Sequence, residues 1–238
     1  MTTPAAMAPF VFHTETRLVV LTGHKASNLR ELLCHLQQVS GSCVFYHTHV
    51  AYLTQHFERP RFYNEFANWV SHALQEERLA ERLAAIDLLA ITSVRDLRDA
   101  IAATIQKHVD ADTKPQRRCP AGDEFHFCEA KSFIMPTGQV AQDVSQFFQT
   151  IEQVSNTCLH FHFFEARLRL ERPTNDFSLW LGGLGETRLA RRIDRLNPYA
   201  MTLDGLKHEI VKVGRRYRHQ RYAGTIARLS GSSRSRGD

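Results

Sequence analysis

The sequence predicts an α+β protein built from two homologous repeats, and two observations lead to this prediction. First, the stretch Ser40–Leu53 recurs as Ser155–Leu168 with five identical positions. Second, an offset of 115 residues aligns the chain without a gap from Pro9/Glu124 to Leu53/Leu168, and twelve of these 45 pairs are identical. Self-similarity at a fixed offset is typical of internal duplication. We therefore expect a tandem repeat that covers nearly the whole chain.

Each repeat is predicted to begin with two short strands. Phe10–Thr14 alternates apolar and polar residues, and Leu18–Leu21 is apolar and rich in β-branched residues. The following Thr22-Gly23 predicts a turn. Together these segments predict a short hairpin or a pair of edge strands in each copy.

About four helices are predicted to follow the strands. Asn28 and Asp143 stand where helix N-caps are expected, and Ser40 and Ser155 stand where a second helix would begin. Leu residues at helical spacing follow Asn28 and predict an apolar face. The remaining helices of the first copy are predicted at residues 40–53, 64–74, 79–86 and 93–105.

These patterns define the predicted organisation. We expect repeat 1 at residues 9–109, a linker at 110–123, repeat 2 at 124–217 and a basic, disordered tail at 218–238. The linker contains Pro and Gly without an apolar period, which is typical of a connecting segment. The two helix-rich ββαααα repeats are expected to pack about a pseudo-twofold axis.

Composition excludes several classes of protein. The chain has 238 residues and a net charge of +5, but residues 207–238 carry nine Lys or Arg and two Asp or Glu, so the rest of the chain is slightly acidic. No apolar run approaches the roughly 20 residues that span a bilayer, and no secretory signal is present, so no membrane partner is predicted. Five cysteines without paired spacing predict reduced thiols and a cytoplasmic location.

Several residues carry a resemblance to a known family. They are the Tyr46-His47 and Phe161-His162 steps, the run Phe164–Leu168, the segment Asn175–Phe177 with Trp180, and the Phe-x-Phe strand before Pro136–Gly138. In these motifs the chain resembles the bacterial and archaeal domain-of-unknown-function family 5752, over roughly Pro9 to Tyr217. The resemblance implies no activity, substrate or catalytic residue. Val50 and Tyr52 replace the residues that correspond to Glu165 and Arg167, so a site that used those two side chains would exist once.

A metal site is one interpretation of the repeated motif. Cys43 and His47, like Cys158 and His162, are four residues apart and would share one helix face. Two thiolates and two imidazoles can form a tetrahedral zinc set. The alternative is that these residues are buried, because cysteine is among the most buried residue types and a core histidine can satisfy its own hydrogen bonds.

Two further interpretations involve polar residues. His49, His160 and His162 with Glu165 could form an acid–base or metal site, since histidine titrates near neutral pH. Alternatively, His49 and His160 are tolerated replacements, because they align with Phe164 and Phe45.

A ligand pocket in each repeat is also considered, with Arg as an anion-binding group and Trp as a stacking face. The alternative assigns Asn to helix capping, Trp to the core and Arg to a local ion pair. The residues concerned are Arg59, Asn64 and Trp69 in repeat 1 and Arg172, Asn175 and Trp180 in repeat 2.

The functional expectation follows from what the sequence lacks. It contains no phosphate-binding loop, dinucleotide fingerprint, nucleophile elbow or HExxH motif. We therefore expect a cytoplasmic binding or accessory protein for another protein or a small polar ligand, without a cofactor. The alternative is a metal-assisted enzyme that uses histidines near the repeat interface. Nucleic acid is not expected as a ligand except through the basic tail at 215–222.

Overall fold

The computed structural model is helix-rich and α+β. It describes residues 8–50, 61–62, 64–88, 90–111, 117–166 and 174–232. Strands β1 (Phe10–Ala26) and β2 (Phe125–Ala141) form a two-stranded sheet. The Thr22 hydroxyl donates to the carbonyl of Phe127, and the Thr137 hydroxyl donates to that of Phe12. Residue numbers therefore rise along one strand as they fall along the other, and the pair is antiparallel.

Each strand is a single element of 17 residues, where the sequence predicted two short strands and a turn. The prediction of a turn at Thr22-Gly23 is wrong because the backbone passes through this point without reversing. Gly23 has a φ of 83° and Gly138 a φ of 77°, a conformation that glycine adopts without strain. The preceding threonine hydroxyl bonds across to the other strand and also accepts the N–H two residues on.

The helices of the first half follow the predicted order. Asn28 caps α1 by accepting the N–H of Glu31, and Ser40 caps α2 by accepting the N–H of Cys43. A π turn, Tyr46–Val50, continues α2 directly. The helices are α1 (Leu29–Gln38), α2 (Gly41–Phe45), α3 (Glu65–His72), α4 (Glu77–Ala84) and α5 (Val94–Ala111).

The second half repeats this order. Asp143 and Ser155 cap the first two helices in the same way, and a π turn, Phe161–Glu165, follows the second. A short 3-10 helix, Pro198–Ala200, precedes the last helix. The helices are α6 (Val144–Gln153), α7 (Asn156–His160), α8 (Asp176–Gly183), α9 (Thr187–Asp194) and α10 (Leu203–Ser232).

Most of the segment predicted to be a disordered tail, residues 218–238, is helical. Helix α10 continues to Ser232, while residues 233–238 lie outside the described part of the chain. Glycine and serine become frequent only from residue 230, and the residues before that point are mostly ones that tolerate a helix.

The chain divides into two compact units. The first consists of Met1–Thr14, Pro136–Phe163 and Thr174–Asp238, and the second of Glu15–Met135 and Phe164–Pro173. Both strands therefore pass from one unit into the other. Each unit contains helices from one half of the chain and the beginning of the strand from the other half.

The second unit has a core of leucine, phenylalanine and other apolar side chains. Leu32 and Leu36 of α1 and Phe66 of α3 are fully buried there, together with Phe127 from β2. Phe125 stacks on Phe66 with ring centroids 5.0 Å apart. The start of β2 thus fills the core of helices that precede it by about 50 to 100 residues.

The first unit has an equivalent core. Phe12 and Phe147 are fully buried and their rings stack at 5.7 Å. Phe10 packs edge-on against Phe147 and Trp180. The start of β1 thus packs among α6 and α8.

Among the described residues, no helix has the length and apolar character needed to cross a bilayer.

Candidate functional site

His47 lies in the π turn after α2 and is 2% exposed. Its Nε2 accepts the backbone N–H of Cys128 at 2.9 Å, and its Nδ1 lies 2.5 Å from the Glu65 carboxylate. Because Nε2 accepts, the proton of the neutral ring is on Nδ1 and is donated to Glu65. The ring of Phe125 packs against the imidazole at 4.7 Å.

His162 makes the same contacts in the first unit. It is 3% exposed, its Nε2 accepts the backbone N–H of His13 at 2.8 Å, and its Nδ1 lies 2.8 Å from Asp176. The ring of Phe10 packs against it at 4.9 Å. In each unit the histidine therefore joins a strand backbone to the first turn of a helix.

These bonds bear on the zinc interpretation. A zinc-bound imidazole needs a nitrogen lone pair, and the Nε2 lone pairs of His47 and His162 already accept backbone N–H groups. Cys43 and Cys158 are fully buried, and burial raises the pKa of each thiol to about 12. A protonated thiol is not a metal ligand. The four side chains thus have the properties of core residues.

The asparagines are helix caps. Asn64 accepts the N–H of Ala67 at 2.7 Å and donates to the carbonyl of Leu83. Asn175 accepts the N–H of Ser178 at 2.9 Å. Both are buried, so their polar groups are used within the fold.

The tryptophans pack and donate to backbone carbonyls. Trp69 donates its indole N–H to the carbonyl of Asp123 at 2.6 Å, and Trp180 donates to that of Ala8 at 3.0 Å. These bonds place the chain just before each strand. Arg59 and Arg172, which the pocket interpretation requires, lie outside the described residues.

Glu165 ends the second π turn and belongs to a buried charged group in the second unit. The Arg17 guanidinium lies 2.6 Å from a Glu165 oxygen and also contacts Glu15. The exposed fractions of the Arg17, Glu15 and Glu165 side chains are 8%, 0% and 14%. Burial lowers the pKa of Arg17, and the charge of Glu165 opposes that shift.

This group resembles a cation site in which Arg17 is the cation. Oxygens of Glu15 and Glu165 lie within 4.8 Å of each other, a separation that one metal ion could bridge. The guanidinium already contacts both carboxylates, so it neutralises one of the two negative charges. Because these side chains are almost closed to solvent, the arrangement stabilises structure more readily than it admits a substrate.

His49 adjoins the charged group and is neutral. Burial and, to a smaller extent, the Arg17 charge together lower its pKa to about 3. The Thr48 hydroxyl donates to the carbonyl of Val44, so His49 Nδ1 must be the donor in its 2.7 Å bond to Thr48. Phe45 stacks on His49 at 5.0 Å and lies 5.9 Å from the Arg17 guanidinium. His160, in the first unit, is fully buried.

Glu15 and Arg17 were not identified from the sequence. At the offset of 115 they correspond to Ala130 and Ser132, which carry no charge. His49 and Glu165 likewise correspond to the apolar Phe164 and Val50. Comparing the two halves position by position could have identified this group, since each of its titratable residues has an uncharged counterpart in the other copy.

The middle of the two strands in the second unit carries an exposed apolar surface, here called the ribbon patch. It consists of three side chains on β1 and three on β2, each 43% to 68% exposed. They are Leu18, Val19, Leu21, Phe133, Ile134 and Met135. The predicted site residues did not include any of them, although Leu18–Leu21 was predicted as strand.

Comparison with known proteins identifies the family but not an activity. No curated protein matches the chain. A solved structure, that of OrfY from Thermoproteus tenax, is similar with a TM-score of 0.77 and 27% identity, covering 89% of this chain and 96% of that one. The model of a family of unknown function, DUF5752, matches residues 7–215. Since that match covers most of the sequence, the chain belongs to the DUF5752 family.

Proposed function

We propose that this chain is a non-catalytic binding protein that contacts another protein through the ribbon patch. The observation that carries the proposal is the exposure, at 43% to 68%, of six large apolar side chains in the middle of β1 and β2. Large exposed apolar areas commonly mark interaction sites.

The partner chemistry follows from the element that carries the patch. Within the described part of the chain the sheet has two strands, so each strand has one edge without a strand neighbour. An extended segment of a partner can add to such an edge, with backbone hydrogen bonds supplying affinity and alternate side chains supplying specificity. We therefore propose an apolar β-strand of a protein as the occupant, rather than a small polar ligand.

The metal-assisted enzyme has less support. The nitrogens of His47 and His162 are engaged with backbone and carboxylate groups, and both rings are buried. A general base must reach the proton that it abstracts. The carboxylates of the charged group around Arg17 are poorly placed for this role, because the group is almost closed to solvent.

We also infer that the two halves arose by duplication and that the protein resides in the cytoplasm. Three features support the duplication. The two strands have equal length, the helices have matching N-caps, and His47 and His162 make matching contacts. Five cysteines without disulfide bonds support a reducing compartment. Binding of nucleic acid by the basic end of α10 stays a prediction from the sequence.

A site-specific photocrosslink tests the binding function. The photoreactive p-benzoylphenylalanine would replace Leu18, which is 56% exposed, or, as a matched control, Leu179, which is 39% exposed on α8. We expect protein adducts in cells from position 18 and none from position 179. The adducts should disappear when Phe133→Lys is added. Equal adducts from both positions, or none from position 18, would overturn the proposal.

A further inference from the structure

The two edges of the ribbon patch differ in how well they are protected. On β2, Phe133–Met135 are flanked by Lys131 and Pro136. Lysine and proline are the residues that proteins commonly place on exposed strands to prevent pairing. On β1, no proline adjoins Leu18–Leu21, and the adjoining Arg17 is buried, with 8% of its side chain exposed. The β1 edge is therefore the one suited to accept another strand.

We propose that the occupant of this edge is a second copy of the chain. Residues Leu18–Leu21 of β1 would pair antiparallel with the same residues of the partner, so that two ribbons form one four-stranded sheet. This inference rests on the proposed function and names the partner. A closed twofold interface of this kind uses the same surface on both subunits.

Charge favours a second copy at β1. In an antiparallel pairing of a strand with itself, each residue near the twofold axis meets itself or a close neighbour. A charged residue there would face a like charge, which destabilises a cross-strand pair. The run Leu18-Val19-Val20-Leu21 brings only apolar side chains together, three of them exposed at 56%, 47% and 68%. On β2, Lys131 would oppose the same arrangement.

Part of the area that a dimer interface needs is available on β1. With roughly half of each side chain exposed, the three β1 residues of the ribbon patch offer on the order of 250 Å² of apolar surface per chain. A standard interface buries about 800 Å² on each partner. Backbone pairing along the β1 edge would supply the difference, and a sheet of four strands is more stable than one of two.

Molecular mass in solution tests the inference. The chain mass is 27.3 kDa, and we expect light scattering to give twice that value for the native protein at micromolar concentration. The double variant Leu18→Lys/Leu21→Lys should be a folded monomer by circular dichroism. The control Leu179→Lys, which adds a charge to an exposed leucine of α8, should stay dimeric.

Hydrogen exchange on the native protein gives a second readout that needs no variant. The amides of residues 18–21 should exchange more slowly at high protein concentration than at low concentration. The inference would be overturned if the native protein were a monomer, or if the double lysine variant were still a dimer. It would also be overturned if Phe133→Lys disrupted the dimer and the double lysine variant did not. Adducts at position 18 with a different protein would overturn it as well, while leaving the proposed binding function intact.

Discussion

His49 shows how a single buried residue links stability to pH. It is 3% exposed, and its neutral ring donates to Thr48 and stacks on Phe45. Protonation of this imidazole is disfavoured, because burial and, to a smaller extent, the Arg17 charge lower its pKa.

The sign of the resulting pH dependence follows from the lowered pKa. The unfolded chain takes up a proton on His49 near pH 6.5, whereas the folded chain does so only near pH 3. The stabilising contribution is therefore complete above pH 6.5 and declines as the pH falls toward 3. The free energy of unfolding lost on His49 between pH 6.5 and 3 should be on the order of a few kcal/mol, as the size of the pKa shift implies.

The variant His49→Phe tests this contribution, because Phe164 occupies the corresponding position of the second half. Urea unfolding of both proteins from pH 7.5 to 5 should show the wild type losing more stability than the variant. Most carboxylates stay charged over this range, so the difference in slope reports the histidine. Identical slopes would mean that His49 binds its proton equally well in the folded and the unfolded chain.

At the scale of elements, α10 packs unusually close to α6. A Cβ added to Gly214 would lie 2.4 Å from ring atoms of Phe148, a side chain that is 1% exposed. That distance is far inside van der Waals contact, so the ring or the helix would have to move. Glycine at this position allows the two helices to approach.

The variant Gly214→Ala should therefore lower the free energy of unfolding by about 1–3 kcal/mol, the usual cost of overpacking. Gly182→Ala is the matched control, since the nearest atom to its added Cβ is 3.9 Å away. Alanine in α8 should be neutral or stabilise by up to about 1 kcal/mol. Thermal unfolding followed by circular dichroism would compare them, and equal effects would refute the packing argument.

The same scale shows what the sequence could predict. Helix starts were accessible because capping is local: Asn28, Ser40 and Asp143 bond to N–H groups three residues away. The pairing of the strands was not accessible, because Phe12 and Thr137 meet across 125 residues of chain. No local pattern specifies such a pairing, and Gly23 was taken for a turn although a positive φ also fits a kinked strand.

The residues of the candidate site likewise include some that the sequence pointed to and some that it did not. The repeated spacing drew attention to His47 and His162, and the structure places both in equivalent bonds. Glu15 and Arg17 were missed because charged residues in a strand of mixed polarity are ordinary. Their significance comes from burial beside Glu165, which depends on contacts between residues about 150 apart.

For the whole molecule, the division into units makes each half dependent on the other. Helices of the first half receive Phe125 and Phe127 from β2, and His47 receives the N–H of Cys128. Helices of the second half receive Phe10 and Phe12 from β1. A chain cut between the halves would leave each set of helices without the strand that fills its core.

We therefore expect the fragments 1–113 and 114–238 to be unfolded when made separately. Each loses two buried phenylalanines, and removing one such side chain costs about 3–5 kcal/mol, against a total stability of about 5–15 kcal/mol. Mixed in equal amounts, the fragments should regain the circular dichroism and cooperative melting of the intact chain.

A chain with a protease site inserted at residues 112–116 and cleaved after folding is the control. It should keep its structure, because cleavage there removes no core side chain, and it should fail to refold only when its two pieces are separated. Cooperative melting of either isolated fragment would show that the strand of the other half is dispensable. The dependence of each half on the other would then be a matter of added stability rather than a requirement for folding.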